Sequence, residues 1–345
     1  MMRSDVRPDS VSNSTRRGFL KRTAAASALF AFPTIIPARV FGANEQIRTG
    51  HIGVRNQGLP NLKALMKHAV AVCDVDSDVL AKARKTAEDG TKHDIKAYSD
   101  YRKLLDDKDI DAVVVTTPDH WHARITVDAC NAGKDVYCEK PLSLTIAEGR
   151  AMVDAARKNK RVVQTGSQQR SDDRFRLACE LVRSGRIGTV RKVIVGLPGV
   201  NFAGPAVPNT DPPPELDYNF WLGPAPEKPY NPKHVHYNFR FFWDYSGGQM
   251  TNFGAHHLDI TQWALGRDNS GPVFIEGEAT FNPNGWYEVP MTSRIRYEYD
   301  DGVIVFCEQG MNTPSGCTFE GEKGTIHVDS GKLTSTPGDI INEPL

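Results

Sequence analysis

Between Ile47 and Thr165 the chain alternates short apolar runs with stretches of helical periodicity, and few architectures accept that rhythm. The runs IRTGHIGV, AVAVCDV, IKAYS, DAVVVTT, DVYCE and RVVQTG read as strands. Between them LPNLKALMK, SDVLAKARKTAED, DYRKLLDD, HARITVDACNAG and TIAEGRAMVDAARKN read as helices. Strands separated by helices form a parallel, doubly wound sheet. Ligands of such a sheet bind at the carboxyl ends of its strands, so the segment YCEKPLS, Tyr137 to Ser143, falls at a binding rim. A lysine before proline is held in extended geometry, and the side chain of Lys140 is thereby aimed by its backbone.

After Gly166 the rhythm changes. A helix is expected over Phe175 to Ser184, then a strand around VRKVIVGL. The proline-dense stretch from Gly204 to Pro232 reads as a long ordered loop or a tether, and its Tyr218, Phe220 and Trp221 favour a packed loop. One helix is predicted from Gly247 to Leu265. The runs VFIEGEATF, SRIRYEYD, VIVFCEQ and TFEGEKGTIHV then alternate like antiparallel strands. The fold class expected is α/β: an N-terminal doubly wound parallel sheet of Rossmann type over residues 44–165, and a C-terminal α+β domain with an open, mainly antiparallel sheet over 166–345.

Lys plus Arg and Asp plus Glu each number 42 in 345 residues, so no basic excess points to nucleic acid and the expected partner is a small molecule. The six cysteines show no zinc-site spacing and read as small buried hydrophobes, and no metal is expected. Residues 1–43 stand apart. STRRGFLKRTAAASALFAFPTIIPARVFGA places Arg16 and Arg17 before Phe19, Leu20, Lys21 and a weakly apolar run. It resembles a twin-arginine export signal, cleaved near Gly42 or Ala43, with a short N-terminal helix as the alternative. The run is too short and too broken by Pro33 and Pro37 for a membrane span. A periplasmic or otherwise exported protein is expected, and export in the folded state suits a tightly held cofactor.

The first strand runs into GHIGVRNQGLPN. A dinucleotide fingerprint asks for glycines at the turn, at the pyrophosphate and at the helix packing point. Gly53 and Gly58 take the outer places, Arg55 stands at the middle one, and Asn56 and Gln57 complete the loop. Arg55 either binds the pyrophosphate or blocks it. Asp74 lies 21 positions beyond Gly53, where a carboxylate accepts from ribose hydroxyls and repels a 2′-phosphate, which favours NAD over NADP. The competing role for Asp74 is helix capping, for which Asp76 and Ser77 serve equally well.

The loop with Asp74, TTPDHWHA (Thr116 to Ala123), CEKPLS and SGGQMTNFGAHHLDITQWALG (Ser246 to Gly266) together resemble the glucose-fructose oxidoreductase, inositol dehydrogenase and rhizopine-catabolism family, Gfo/Idh/MocA. The resemblance covers nearly all of the chain after residue 43. It implies nicotinamide-dependent oxidation or reduction of a sugar, polyol or inositol hydroxyl, in a homo-oligomer such as a dimer or tetramer. It assigns to Lys140 a place beside the nicotinamide and the reacting hydroxyl, and to His256 an acid/base role. A proton acceptor is needed there, because the alcohol proton leaves as the carbonyl forms. Asn252 and His256, spaced i and i+4, share a helix face with Asp259 nearby, whereas His257 points elsewhere and packs. Where the family usually carries an aspartate, Asn252 holds a neighbour by hydrogen bonds without supplying charge. The same comparison gives Thr117, Pro118, Asp119 and His122 to the nicotinamide and ribose, with helix capping as the other role for Asp119. Glu139 either balances Lys140 or faces the other way. Substrate contacts are expected from His120, Trp121, Gln169, Arg170, Arg240, Trp243, Asp244 and His256, with loop packing as the alternative for the aromatic group.

The family normally continues past its last strand with a further helical segment, whereas this sequence ends at GDIINEPL. Three functions fit: an NAD-dependent sugar or polyol dehydrogenase; an NAD-dependent glycosidase that oxidises transiently and eliminates; and a sugar- or nucleotide-binding protein without turnover.

Overall fold

The computed structural model describes residues 46–200, 206–282 and 286–342, and the expected export segment 1–43 lies outside them. In the first domain β1 (Thr49–Ile52) is followed by α1 (Gly58–Ala64), β2 (Ala69–Cys73), α2 (Ser77–Thr91), β3 (Lys96–Tyr98) and α3 (Tyr101–Asp106). The second half continues with β4 (Ala112–Val115), α4 (Asp119–Asn131), β5 (Asp135–Cys138), α5 (Ile146–Asn159) and β6 (Val163–Thr165). The strands lie in the order β3-β2-β1-β4-β5-β6, all parallel, so the chain reverses direction across the sheet between β1 and β4. A crevice opens at such a switch point. Ile52, Val113 and Val115 are buried in the helix-covered core, each contributing about 1.5–3 kcal/mol by its removal from water. Asp76 caps α2 by accepting from the amides of Asp78 and Val79, and Thr145 with Glu148 closes a capping box on α5.

α6 (Asp173–Arg183) opens the second domain, followed by β7 (Val190–Leu197), α7 (Tyr218–Leu222), α8 (Gly248–Asn252) and α9 (Gly254–Ala264). Then come β8 (Phe274–Thr280), β9 (Thr292–Glu298), β10 (Ile304–Gln309), β11 (Gly316–Gly321), β12 (Thr325–Val328) and β13 (Leu333–Thr336). These form one sheet in the order β13-β12-β11-β7-β10-β9-β8, antiparallel throughout except for the β7–β10 pair. Phe175 of α6 and Ile260 of α9 pack with Val305 and Phe319 of the sheet into one core. All of β8 is exposed.

Several elements differ from the sequence reading. The helix expected over Gly247 to Leu265 is two, joined at Phe253: its carbonyl accepts from His256 N as well as His257 N, which tightens the turn. The helix expected through Lys67 ends at Ala64 and hands over to a 3-10 turn, Met66–His68. TFEGEKGTIHV makes two paired strands, and β13 was not anticipated. All six cysteines are free and buried, as read.

From residue 206 the proline-dense stretch, with the chain that follows it to Tyr245, is an ordered strap across the first domain. Ser77 N donates to Glu215 O at 2.8 Å and Asp217 N to Val75 O at 3.0 Å, tying the strap to the end of β2. Tyr218, Trp221, Phe239, Phe241 and Tyr245 bury one another along it. The aromatics seen in the sequence therefore hold a loop down.

Candidate active site

A cleft of about 380 Å³ runs from the loop after β1, past the end of β2, to the end of α8 and the start of α9, roofed by the strap. That volume lies within the usual range for small-molecule sites. Gly53 shapes its floor: φ is +79°, and a Cβ there would come within 2.7 Å of the Thr116 carbonyl oxygen. Gly58 lets α1 close onto that loop, since its Cβ would lie 2.0 Å from Gly53 O. Arg55, Asn56 and Gln57 line the cleft, while Gly58 acts only through this packing. The Arg55 guanidinium is drawn to Asp76, with Nη1 to Oδ2 at 3.0 Å.

Asp74 accepts from Val54 N at 2.9 Å and from Asp76 N at 3.1 Å, one bond to each oxygen. A carboxylate oxygen takes two donors, so each has room for a ribose hydroxyl. Burial raises the Asp74 pKa, and these amide bonds oppose the rise. Capping of α2 falls to Asp76.

At the other end β5 delivers Glu139 and Lys140 ahead of the cis bond to Pro141. Glu139 is buried and does not pair with the Lys140 amine. Its Oε1 accepts from Gln168 at 2.8 Å and Asn61 at 3.0 Å, and its Oε2 from Lys140 N at 3.3 Å. Lys140 instead crosses to the second domain, where Nζ donates to Asn252 Oδ1 at 2.7 Å. Burial lowers the Lys140 pKa; Glu139 and Asp119 pull it back up and Arg240 pushes it further down. His256 lines the same cleft, its Nδ1 buried without a partner among the described residues. Burial first, then the Lys140 charge and His257, lower its pKa to about 4, so the imidazole is neutral at pH 7. His257 packs inward against Gly196 O at 3.1 Å, as expected.

Thr117, Pro118, Asp119 and His122 line the middle of the cleft. The Thr117 hydroxyl is buried without a partner among the described residues. His122 is fixed between Pro141 O at 2.7 Å and Thr117 O at 2.9 Å. Asp119 does not cap α4; it reaches across the domains to accept from Ser246 Oγ at 2.5 Å. Burial raises its pKa, against the opposing effects of His122, Ser246, Arg240 and Lys140.

The expected substrate group is only partly assembled. Trp121 and Arg240 reach the cleft. His120 does not: it is buried behind the strap, Nε2 3.1 Å from Trp221 O, its ring against Trp221 and Tyr245. Gln169 also lies off the cleft, and its neighbour Gln168 lines it instead. Arg170 is taken by Asp259 at 2.7 and 2.8 Å and by Asp268 at 2.9 Å. Trp243 is exposed and Asp244 pairs with Lys228, both outside the cleft. Asn61, Gln168 and the strap residues Phe220, His236 and Tyr237 were missed. The aromatic density of the strap hinted at the last three, while Asn61 and Gln168 adjoin the loop and the Gln169 position already singled out. Among the described residues no group of three or more His, Cys, Asp or Glu side chains could hold a metal ion, and no helix is long and apolar enough to cross a membrane.

A doubly wound sheet with a glycine turn, a carboxylate ending β2 and two buried groups in the cleft, Thr117 Oγ1 and His256 Nδ1, without partners among the described residues defines a dinucleotide-binding protein whose second domain completes the site. The residues fit NAD: Gly53 to Gln57 would receive the pyrophosphate, Asp74 the adenosine ribose, and Thr117 with Lys140 the nicotinamide end.

Comparison with known proteins agrees. Residues 40–167 match the family model described as "Oxidoreductase family, NAD-binding Rossmann fold", and residues 180–336 its "C-terminal alpha/beta domain" partner. A myo-inositol 2-dehydrogenase of Thermotoga maritima is 31% identical over 84% of this chain and 77% of its own length. An inositol 2-dehydrogenase of Salmonella paratyphi B is 35% identical over 41% of this chain, and that match spans only 43% of the relative's length. A solved levoglucosan dehydrogenase, in complex with NADH and levoglucosan, superposes with a TM-score of 0.61 at 20% identity, over 85% of this chain and 74% of that one. The chain belongs to the Gfo/Idh/MocA oxidoreductase family.

Proposed function

We propose that the protein oxidises a secondary hydroxyl of a sugar, glycoside or polyol, with Lys140 and His256 handling the proton. One observation carries this reading: the Lys140 amine, aimed by the rim of the first sheet, meets Asn252 of the second domain at 2.7 Å in the cleft that His256 also lines. NAD, when bound, supplies the hydride acceptor.

The division of labour follows from the surroundings. An imidazole with pKa about 4 is protonated to only about 0.1% at pH 7, so His256 is a poor resting place for a proton. The Lys140 amine is the stronger base, and its lowered pKa increases the neutral fraction that accepts the hydroxyl proton. Asn252 Oδ1 fixes the amine without charging it. His256 orients the hydroxyl through a ring nitrogen and passes the proton onward. Asp119 and Ser246 hold the two domains at this junction.

Relatives named inositol and levoglucosan dehydrogenases support a cyclic polyol or sugar as substrate. The fully exposed β8 supports a homo-oligomer. Lys140→Met tests the assignment. It should lower kcat/KM for sugar oxidation by about 10²- to 10⁴-fold while NADH still binds. A variant within tenfold of the parent would remove Lys140 from the chemistry.

A further inference from the structure

The two arginines that line the cleft differ in how their charge is met. Arg55 pairs with Asp76. Arg240, on the 3-10 turn His236–Phe241 of the strap, has no carboxylate or hydrogen-bond partner among the described residues, and its Nε is buried without one. Its contacts are with rings: the guanidinium lies over Tyr237 at 4.0 Å and beside Phe239 at 5.3 Å. Stacking occupies the face of a guanidinium and leaves the edge, which carries the N–H donors, without a partner. A buried donor left unmade is costly, and in a cleft a bound ligand can supply its partner.

The position of Arg240 selects which ligand. Its charge lowers the Lys140 pKa, after burial, and steadies the ionised form of Asp119, so it stands at the reacting end. Arg55, by contrast, acts on His236 at the far end of the same turn. The carboxylates near Arg240 are engaged elsewhere: Asp119 by Ser246, and Glu139 by Asn61 and Gln168. The reacting end therefore presents a guanidinium edge to which no carboxylate is bonded among the described residues.

We propose that Arg240 receives a carboxylate carried by the substrate, so that the sugar oxidised is an acid sugar such as a uronate or aldonate. This rests on the oxidoreductase reading and names its substrate class. A planar carboxylate takes two parallel N–H bonds from such an edge, a geometry that neutral hydroxyls do not match. A charged hydrogen bond of this kind gives a preference of about 10- to 100-fold over the neutral analogue.

The test is calorimetric titration of the full chain, with and without NADH, by D-glucuronate and by D-glucose, in the parent, Arg240→Gln and Arg240→Lys. Glucuronate should bind the parent at least about tenfold more tightly than glucose. Arg240→Gln should lose that preference with its NADH affinity within about twofold, and Arg240→Lys should keep part of it. Glucuronate binding no tighter than glucose in an NADH-loaded parent overturns the inference and leaves the oxidoreductase reading standing. An Arg240→Gln protein whose acid preference survives while NADH binding weakens assigns the guanidinium to a cofactor phosphate and also overturns it. A parent that binds no NADH yet prefers glucuronate sinks the oxidoreductase reading instead.

Discussion

Replacing Asn252 by aspartate puts a carboxylate where an amide oxygen now sits 2.7 Å from the Lys140 amine. At that separation opposite unit charges attract by about 1.5 kcal/mol in bulk water and about 6 kcal/mol at an effective dielectric of 20. At 1.36 kcal/mol per pH unit, the Lys140 pKa should rise by about one unit at least and about four at most. Half-buried lysines facing one carboxylate fall in the middle, so we expect about 1–3 units. Gln249 Oε1 accepts from Asn252 Nδ2 at 3.0 Å and would lose that donor, but its own amide can turn to present Nε2. The pKa is read without any substrate, from the pH dependence of Lys140 acylation by an amine-selective reagent, followed by peptide mass. The midpoint should move up, and the acid limb of sugar oxidation should move with it, because a more basic amine is neutral only at higher pH. A midpoint within about 0.3 units of the parent, or one displaced downward, refutes the argument that Asn252 holds the Lys140 amine without adding the negative charge that would raise its pKa.

Three further outcomes are expected. Asp74→Asn keeps one acceptor but removes the charge, so NAD binding should weaken about 10- to 100-fold and discrimination against NADP should shrink, as read by fluorescence titration with the two reduced cofactors; unchanged discrimination would show that Asp74 does not read the ribose. Burial lowers His51 and His120 to about 4, so the unfolded chain binds more protons between pH 4 and 6.5, and the stability each contributes is present above 6.5 and lost as pH falls toward 4. Buried Asp74 and Asp119, with raised pKa values, act in the opposite sense, so the clean measurement is a difference: urea unfolding of His120→Gln should be less pH-dependent than the parent by about 3 kcal/mol over that window, and parallel curves would contradict the burial argument. We propose that the amino-terminal segment directs export, in which case changing Arg16 and Arg17 to lysine should leave the protein in the cytoplasm, and unaltered export in fractionated cells would reject it.

Much of the architecture was legible because periodicity reports burial directly. Apolar runs too short for buried helices, separated by helical stretches, leave little besides a doubly wound sheet, and the lysine before Pro141 then had to fall at its rim. The i, i+4 spacing of Asn252 and His256 likewise survived the joint at Phe253, whose backbone stays helical. What the sequence concealed is where a side chain turns once distant segments compete for it. Arg170 is claimed by Asp259 and Asp268, 89 and 98 positions away, and no local pattern announces that. His120 and Trp121 are adjacent, yet one packs behind the strap and the other borders the cleft, because both polar tips are claimed by the carbonyl of Trp221 about a hundred residues on. Trp243 and Asp244 looked like sugar contacts because a carboxylate and an aromatic face stand just before the helix that carries His256. The strap that carries them spends most of its aromatic rings on its own core and turns Phe220, His236, Tyr237 and Arg240 toward the cleft, leaving Trp243 and Asp244 outside it.

The most direct measurement follows a labelled hydride. The protein is loaded with NAD and mixed with sugars carrying deuterium on their ring carbons, and the cofactor is then recovered and analysed by mass spectrometry. Deuterium should appear in the reduced nicotinamide with the parent protein and be reduced at least about a hundredfold in Lys140→Met at equal cofactor occupancy. Equal labelling by the two proteins, or none in the parent with any neutral or acidic sugar, would contradict the claim that Lys140 and His256 meet over the nicotinamide to oxidise a hydroxyl.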